Sequence, residues 1–508
     1  MSKQEIVNRY QESVKVKQVL KQIQKDKNQI QITNLVGSSM SLVISETFKK
    51  DDKSYLLIFN DKEEAAYHLN DLEQLLTQKR VLFYPGSYRR PYQIEETDNA
   101  NVLMRSEVLN RINSRKKPAI IVTYPEALFE KVVTKKDLER NTLKLSVSES
   151  VSLDFVNEIL FEYNFNRVDF VTEPGDFSVR GGIIDVFSFS NDEPFRIEFF
   201  GDEIDSIRTF DIETQLSKEK LRKASIMPNL ENKMLQERRE SFLKYIPSKT
   251  IIFSKNKELL LGNLDTLFTK AENAFSELSK EIQHSKPSNL FCNGALIKDQ
   301  LSQFTVASLE THTHDNKPII NFTTKAQPSF NKQFDLLIKD LNLYHKKGFT
   351  NYIFCANQQQ AQRFQDIFDD SKEDVHYQTI VFSLHEGFVD LDEKIVCYTD
   401  HQIFERYHKF RLKNGYAKKQ SITLKELNNL AIGDYVTHMD HGIGKFGGLQ
   451  KIDVEGKKQE AIKLIYGDRD ILYVSIHSLH KISKFSGKDG KPPKIYKLGS
   501  GAWKKIKQ

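Results

Sequence analysis

The stretch Gly433-Asp434-Tyr435-Val436-Thr437-His438-Met439-Asp440-His441-Gly442-Ile443-Gly444-Lys445-Phe446 indicates how the last part of this chain folds. Short runs of alternating apolar and polar residues are separated by glycine and aspartate, as in strands joined by tight turns. The pattern returns at Leu472-Tyr473-Val474-Ser475-Ile476-His477-Ser478-Leu479-His480. It predicts a small β-meander with strands at 435–438, 444–453, 460–466 and 470–476. An all-β module of this size is more often an adaptor than a catalyst.

The whole chain has 508 residues, which is too long for one core and predicts about three to five domains. Its net charge of +6 permits contact with nucleic acid without requiring it. The three cysteines, Cys292, Cys355 and Cys397, are far apart and form no Cys-x-x-Cys pair, which argues against disulfides and thiolate zinc sites. With no apolar signal core and no membrane-spanning run, we expect a cytoplasmic monomer without membrane contact.

The larger part of the chain predicts a multidomain α/β protein with an inserted antiparallel α+β domain and a small carboxy-terminal β-barrel-like domain. Strand and helix signals alternate in the first segment, and Asp61 with Glu64 marks a helix start there. The expected segments are an α/β domain at 1–145, the insert at 146–212, a return to α/β at 213–322, a small α/β domain at 323–407, a basic linker at 408–430, the β-module at 431–485 and a further linker at 486–508.

Residues Gly37, Ser38, Ser39 and Met40 occupy the place of a phosphate-binding loop, between a strand and a helix. A working loop needs glycines that let backbone amides surround the phosphates, and a lysine that reaches their oxygens. Met40 stands where the lysine belongs, and Ser39 adds a side chain where a glycine is usual. The sequence therefore predicts a degenerate nucleotide loop that caps a helix, with residual nucleotide binding as the alternative.

This loop and the stretch Gly175-Asp176-Phe177-Ser178-Val179-Arg180-Gly181-Gly182-Ile183-Ile184-Asp185-Val186-Phe187 resemble the repair protein UvrB. The closer resemblance is to the UvrB-homology module of the bacterial transcription-repair coupling factors (the Mfd family). Between Tyr92 and Glu107 there is too little chain for the aromatic hairpin with which UvrB probes DNA, so we expect Tyr84, Tyr88 and Tyr92 to pack. The resemblance implies a module that has lost ATP hydrolysis and kept a docking role.

In this family, arginines of the inserted domain bind the partner repair protein UvrA, and the matching residues in this chain are Arg167 and Arg180 on neighbouring predicted strands. An arginine offers a planar five-donor fork that suits carboxylates of a protein partner. We expect an exposed apolar neighbour, Ile184 or Phe187, to form the centre of the contact. The alternative is that both arginines make ion pairs within the domain.

The pattern Val436-x-His438-x-x-His441-Gly442-x-Gly444, with Leu472-Tyr473-Val474, resembles the RNA-polymerase-interacting domain that these factors share with CarD regulators, a Tudor-like fold. In the family this domain pairs edge to edge with the β subunit of RNA polymerase. The resemblance places the contact at Ile452, with Lys451 beside it and Leu449 supporting it from within. The alternative is that Ile452 is an alternating core residue.

The terminal module also holds two His-x-x-His pairs, His438/His441 and His477/His480, and four imidazoles can bind zinc. Because alternate strand residues point to opposite faces, the pairs need not converge, and we expect no metal site there or at His312 and His314. The basic run after Arg406 is read as a solvated helix face, with DNA as a further partner.

Taken over its whole length, the resemblance implies the amino-terminal fragment of a transcription-repair coupling factor, which binds UvrA and the RNA polymerase β subunit. We expect no catalytic residue and no cofactor in it; ATP and Mg²⁺ belong to the DNA translocase module that the family places next. The full protein would use ATP to displace stalled polymerase from damaged DNA. The alternatives are an active UvrB-like ATP-dependent damage-recognition enzyme and a stand-alone CarD-type transcription regulator.

Overall fold

A computed structural model describes residues 3–76, 80–87, 92, 99–113, 118–189, 191–212, 214–228, 238–278, 285–310, 318–371, 373–406, 430–438, 441–454, 457–475, 482–484, 493 and 495–498. The chain forms two compact units. The first unit comprises Met1–Asn141 with Leu230–Gly415, and the second comprises Thr142–Asn229 with Tyr416–Gln508.

The helices, numbered in chain order, are α1 Lys3–Glu12, α2 Val14–Ile23, α3 Ser39–Lys49, α4 Lys62–Leu75, α5 Asn99–Asn113, α6 Pro125–Phe129, α7 Lys135–Arg140, α8 Leu153–Glu162, α9 Phe242–Tyr245, α10 Lys257–Glu277, α11 Pro287–Leu290, α12 Gly294–Leu301, α13 Phe334–Lys346, α14 Gln358–Ser371 and α15 Asp400–Ile403.

The strands, also in chain order, are β1 Gln29–Thr33, β2 Tyr55–Ile58, β3 Val81–Phe83, β4 Ile120–Thr123, β5 Val132–Val133, β6 Leu143–Ser146, β7 Asn166–Arg167, β8 Asp176–Arg180, β9 Ile183–Val186, β10 Phe195–Phe200, β11 Glu203–Phe210, β12 Ser217–Leu221, β13 Lys223–Ile226, β14 Arg239–Glu240, β15 Ile251–Ser254, β16 Thr305–Leu309, β17 Ile319–Asn321, β18 Thr324–Ala326, β19 Thr350–Cys355, β20 Gln378–Val381, β21 Phe388–Asp390, β22 Ile395–Thr399, β23 Tyr435–His438, β24 Gly442–Val454, β25 Lys457–Ile465, β26 Ile471–Ser475 and β27 Ile482–Lys484.

The first unit is built around a seven-stranded sheet of order β17-β1-β16-β15-β2-β4-β3, in which all neighbours are parallel. Strands β2, β4 and β15 are buried along their whole length, as expected for a parallel sheet covered on both faces. The helix start predicted at Asp61 is confirmed: its side chain accepts from the Glu64 amide, and Glu64 accepts from the Asn60 amide.

A second sheet of the first unit has the order β18-β21-β22-β19-β20, with α13 and α14 contributing to its core. Helix α1 joins this sheet to the rest of the unit, because Tyr10 donates to Asp390 at 2.8 Å and Tyr352 donates to Glu5 at 2.9 Å. These buried hydrogen bonds connect residues more than 300 positions apart, so the two sheets of the first unit share one framework.

The second unit contains a six-stranded sheet of order β12-β11-β10-β9-β8-β7 and a five-stranded sheet of order β26-β25-β24-β23-β27. The six-stranded sheet is antiparallel except at its edge, where β7 pairs parallel with β8. In the five-stranded sheet, the four predicted strands are confirmed to within two or three residues at each end, and β27 is an additional strand.

The prediction of a mixed α/β protein with several separate sheets is thus confirmed. Among the described residues, no helix is both long and apolar enough to cross a bilayer.

Candidate functional site

The loop between β1 and α3 is closed by the chain itself. Gly37 has a φ of +54°, and the amide of Ser38 donates to the carbonyl oxygen of Glu386 at 3.1 Å. In return the Glu386 amide donates to the Ser38 hydroxyl at 3.1 Å. A Cβ on Gly37 would lie 3.0 Å from the Gly387 carbonyl oxygen. The loop 385–387 therefore lies against the backbone that would surround a phosphate.

The residues after Gly37 offer little to a phosphate. Met40 is 1% exposed and contributes to the core, and the Ser39 hydroxyl donates back to the Val36 carbonyl at 2.6 Å. Three of the four predicted loop residues thus turn inward or bond to their own chain. The arrangement presents a hydrogen-bonded helix start rather than an open group of amides.

The same contact is reinforced by a buried carboxylate on α4. Asp71 accepts from the backbone amide of His385 at 2.8 Å and from its Nδ1 at 2.6 Å. Burial lowers the pKa of His385, but the charge of Asp71 and its hydrogen bond outweigh burial, so that the pKa lies above its ordinary value. Sequence reasoning missed this pair, because Asp71 and His385 are 314 residues apart.

The tyrosines near the missing hairpin pack, as predicted, where the structure describes them. Tyr84 is fully buried and stacks on Phe242 with ring centroids 3.9 Å apart. Tyr92 meets Phe291 edge to face at 5.7 Å, and its hydroxyl donates to the Ser285 carbonyl. Tyr88 lies outside the described residues. Neither described tyrosine is placed as a probe.

In the six-stranded sheet, Arg180 shares a carboxylate with a second arginine. It is hydrogen-bonded to Asp185, whose two oxygens also accept from Arg196 at 2.7 and 2.9 Å. Asp185 is buried, whereas the Arg180 side chain is 42% exposed. The predicted alternative of an ion pair within the domain is therefore present. One carboxylate between two guanidinium groups leaves a net positive charge, and Arg180 keeps further donors at the surface.

Arg167 and Arg180 lie on neighbouring strands, as predicted, but at positions of opposite faces. Arg167 is exposed on the edge strand β7 and is paired with Phe177 of β8. Arg180 comes three residues after Phe177, and side chains alternate between faces along a strand. One partner can reach both arginines only around the edge of the sheet.

The expectation of an exposed apolar side chain at Ile184 or Phe187 is wrong. Both are fully buried, Ile184 opposite Ile197 and Phe187 in a small cluster with Val171. Their inward faces follow from the strand alternation, because Ile184 shares the buried face of its neighbours. Neither can touch a partner without unfolding this sheet.

The exposed aromatic side chain of this region is Phe200, which is 85% exposed at the end of β10. Ile183 pairs with both Arg180 and Glu198, and Phe200 follows Glu198 by two residues. Strand alternation therefore puts Phe200 on the same face as Arg180, at the same end of the sheet. The alternating burial of Phe195–Phe200 was a sequence signal that could have identified it.

In the five-stranded sheet, β24 is longer than the strand beside it. Strand β23 pairs with residues 442–445, and Phe446 exchanges two backbone bonds with Gly433 and Asp434. Residues 449–454 pair with β25 on one side. On their other side, no strand within the described part of the chain is hydrogen-bonded to them.

Lys451 and Ile452 both lie in this one-sided part of β24, opposite Glu460 and Gln459 of β25. Leu449 was expected to support Ile452 from within, and that expectation is wrong because Leu449 is 42% exposed. The pairing with β25 shifts between Phe446 and Leu449, and Gly448 has a φ of +92°, as at a β-bulge. The bulge changes the alternation and turns Leu449 outward.

The histidines of this module are only partly described. His438 is buried, His441 is exposed, and their ring centroids are 4.8 Å apart. His477 and His480, like His312, His314 and most of the basic run after Arg406, lie outside the described residues.

Two segments of the chain match known domain families. Residues 143–231 match the UvrB interaction domain, and they contain the sheet with Arg167, Arg180 and Phe200. Residues 430–486 match the CarD-like/TRCF RID domain, and they contain the long strand with Lys451 and Ile452.

Known proteins match nearly the whole chain. The transcription-repair-coupling factor of Bacillus subtilis (strain 168) is 26% identical over 556 residues, which cover 94% of this chain and 47% of that protein. The proteins of that name from Staphylococcus epidermidis and Staphylococcus aureus are also 26% identical, with the same coverage. The chain spans about half the length of the curated relatives it matches. These matches identify the chain as a homologue of the transcription-repair-coupling factors, corresponding to an amino-terminal part of them.

Proposed function

We propose that this chain is the adaptor part of a transcription-coupled nucleotide excision repair factor. It binds UvrA through its six-stranded sheet and the β subunit of RNA polymerase through its five-stranded sheet. The observation that carries the proposal is that both matched domain families fall on sheets that offer a binding surface. In this proposal the six-stranded sheet is an inserted UvrA-binding domain, and the five-stranded sheet is a CarD-like barrel.

The UvrA surface consists of Arg180, Arg167 and Phe200. Arg180 and Phe200 share one face and one end of the sheet, and Arg167 adds a positive charge at the adjoining edge. Exposed arginines beside an exposed aromatic ring are typical of the few residues that dominate binding energy. The partner surface that fits them combines carboxylates with an apolar pocket.

The polymerase surface is the one-sided part of β24. A strand with unpaired amides and carbonyls can be extended by a strand of another protein, which is how β-augmentation works. Lys451 and Ile452 lie in this segment, so these two residues would flank the added strand. Ile452 supplies the apolar contact, and Lys451 suits an acidic residue of the partner.

The chain itself hydrolyses no nucleotide and holds no nucleotide or Mg²⁺. The contact of Ser38 with Glu386, and the burial of Met40, support this part of the proposal. In the whole protein, ATP would be used by a translocase module outside this chain to displace stalled polymerase from damaged DNA. An active UvrB-like enzyme is disfavoured, because it would need the loop 385–387 to leave its place.

Charge reversal tests the UvrA surface. The variant Arg180→Glu should reduce the affinity for UvrA at least tenfold, which is about 1.4 kcal/mol. The matched control is Lys220→Glu on β12, the opposite edge strand, where the same charge change should leave UvrA binding unaltered. Equal binding by the wild type, Arg180→Glu and Lys220→Glu would refute the proposed surface.

A further inference from the structure

A histidine and carboxylate cluster lies where the second sheet of the first unit meets α4. One donor atom each from His68, Asp71 and His385 comes within 4.8 Å of the others, and within the described part of the chain no other three His, Cys, Asp or Glu residues meet so closely. His68 and Asp71 are three residues apart on α4 and therefore share one helix face. His385 approaches them from the loop after β20.

Both imidazoles are already oriented through Nδ1. The Asp71 carboxylate can only accept, so the short contact at 2.6 Å means that His385 Nδ1 carries a proton. His68 Nδ1 lies 2.8 Å from the Ser41 hydroxyl. Histidines that bind metals commonly use one ring nitrogen while the other donates to a carboxylate or another oxygen. The second nitrogen, Nε2, is left on each ring.

The two rings lie close together at the wall of a cleft. Their centroids are 4.5 Å apart at an interplanar angle of 70°, and His68 also stacks on Phe59 at 4.4 Å. Both histidines line a cleft of about 600 Å³, and Asp71 is buried behind them. A third donor is within reach, because a Glu386 carboxylate oxygen lies 3.9 Å from His385 Nε2.

The charges around the cleft favour a cation. Its lining carries the acidic residues Asp61, Glu63, Glu64, Glu386 and Glu405. The basic lining residues are largely neutralised, since Lys255 pairs with Glu64 at 2.6 Å and Arg406 lies 3.6 Å from Asp400. Burial lowers the pKa of His68, which keeps this imidazole in the neutral form that a metal requires.

We propose that His68, His385 and Glu386 bind a divalent transition-metal ion, with Asp71 holding His385 in place from behind. Two imidazoles and one carboxylate match the donor set that Zn²⁺ accepts, with a water in the fourth position. The ion joins α4 to the loop that fills the degenerate phosphate site. It thereby fixes the second sheet to the first, without nucleotide. The site departs from the sequence-based expectation of no metal, and it needs neither UvrA nor polymerase.

Calorimetric titration of the tag-free full chain with ZnCl₂ tests this site. We expect one binding event in the wild type and at least a tenfold weaker one after the double substitution of His68→Ala with His385→Ala. The matched control is His345→Ala with His376→Ala, a partly exposed pair stacked at 3.8 Å in the same unit, which should leave binding unchanged. Absence of binding in the wild type, or equal binding by the His68/His385 variant, would overturn the proposal.

A milder variant covers the case in which the buried histidines are needed for folding. Glu386→Gln changes a half-exposed side chain and should weaken Zn²⁺ binding several-fold while the thermal unfolding temperature without metal stays the same. Added Zn²⁺ should raise the unfolding temperature of the wild type. An unfolding temperature that is insensitive to Zn²⁺ in the wild type and in Glu386→Gln alike would contradict a bound ion.

Discussion

The amide of Ser38 donates to the carbonyl oxygen of Glu386, and the amide of Glu386 donates back to the Ser38 hydroxyl, both at 3.1 Å. The two residues are 348 positions apart in sequence. Through this reciprocal pair, a loop of the second sheet provides the hydrogen-bond acceptor that a phosphate would otherwise provide. The degenerate loop is therefore a structural joint of the first unit.

Restoring the missing lysine should not restore nucleotide binding. In Met40→Lys the new ammonium group enters a position that is 1% exposed, while the loop 385–387 still occupies the amides. We expect a loss of unfolding free energy of at least ~2 kcal/mol and no gain in affinity for ATP. Denaturant unfolding and titration with a fluorescent ATP analogue measure both. Micromolar ATP binding by this variant would show that the loop is displaced easily.

The exposed ring of Phe200 should matter for UvrA binding and not for folding. We expect Phe200→Ser to weaken UvrA binding at least tenfold, because an exposed aromatic side chain beside Arg180 is placed to fill a pocket. The unfolding temperature should stay within a degree or two. The matched control is Leu216→Ser, which removes another apolar side chain, 68% exposed, next to β12. Equal losses in both variants would point to a general effect of surface apolarity.

The one-sided part of β24 should be the polymerase contact. We expect Ile452→Asp to abolish binding to the isolated β subunit lobe, because a carboxylate replaces an apolar side chain beside the added strand. The control Ile471→Asp places the same charge at a 46% exposed position on β26, the opposite edge strand. Unchanged affinity of Ile452→Asp in a surface-binding assay would return Ile452 to the role of an ordinary strand residue.

The six-stranded sheet should become less stable as the pH rises from about 4 to 6. Burial raises the pKa of Asp176 to about 6, from an ordinary value of 3.8. Between these values the folded chain keeps a proton that the unfolded chain has lost, so unfolding free energy falls as pH rises, by at most about 3 kcal/mol.

The substitution Asp176→Asn tests this pH dependence, because the amide oxygen can still accept from the Glu173 amide, 3.1 Å from the carboxylate in the native chain. The variant should lose this component of the pH dependence and match or exceed wild-type stability above pH 6. Denaturant unfolding at several pH values measures it. Parallel pH profiles for the wild type and Asp176→Asn would mean that Asp176 titrates in its ordinary range.

Much of the fold was predictable from local patterns. Uninterrupted apolar runs gave the buried strands at Tyr55–Ile58 and Ile251–Ser254, and Asp61 with Glu64 gave the helix start, because these signals depend only on neighbouring residues. The exposure of Leu449 was missed because a β-bulge at Gly448 shifts the alternation. Ile184 and Phe187 were misplaced because the resemblance suggested a surface, whereas the strand pattern puts them inside.

The relations between distant segments were beyond the reach of sequence patterns. Nothing near Gly37 indicates that Glu386 will lie against it, and nothing near His68 indicates His385. Such pairs are set by how two sheets pack, and a single sequence carries no local signal for that packing. The arginine pair shows the intermediate case, since its neighbouring strands were predicted but the opposite faces follow only from the register with Phe177.

The central claim is that one chain joins a repair protein to a transcribing enzyme through two separate sheets. Size-exclusion chromatography of the full chain with UvrA and the polymerase β subunit tests it most directly. The account predicts a ternary complex that loses only UvrA in Arg180→Glu and only the β subunit in Ile452→Asp. Elution of the wild-type chain apart from both proteins, or loss of both partners in either variant, would contradict it.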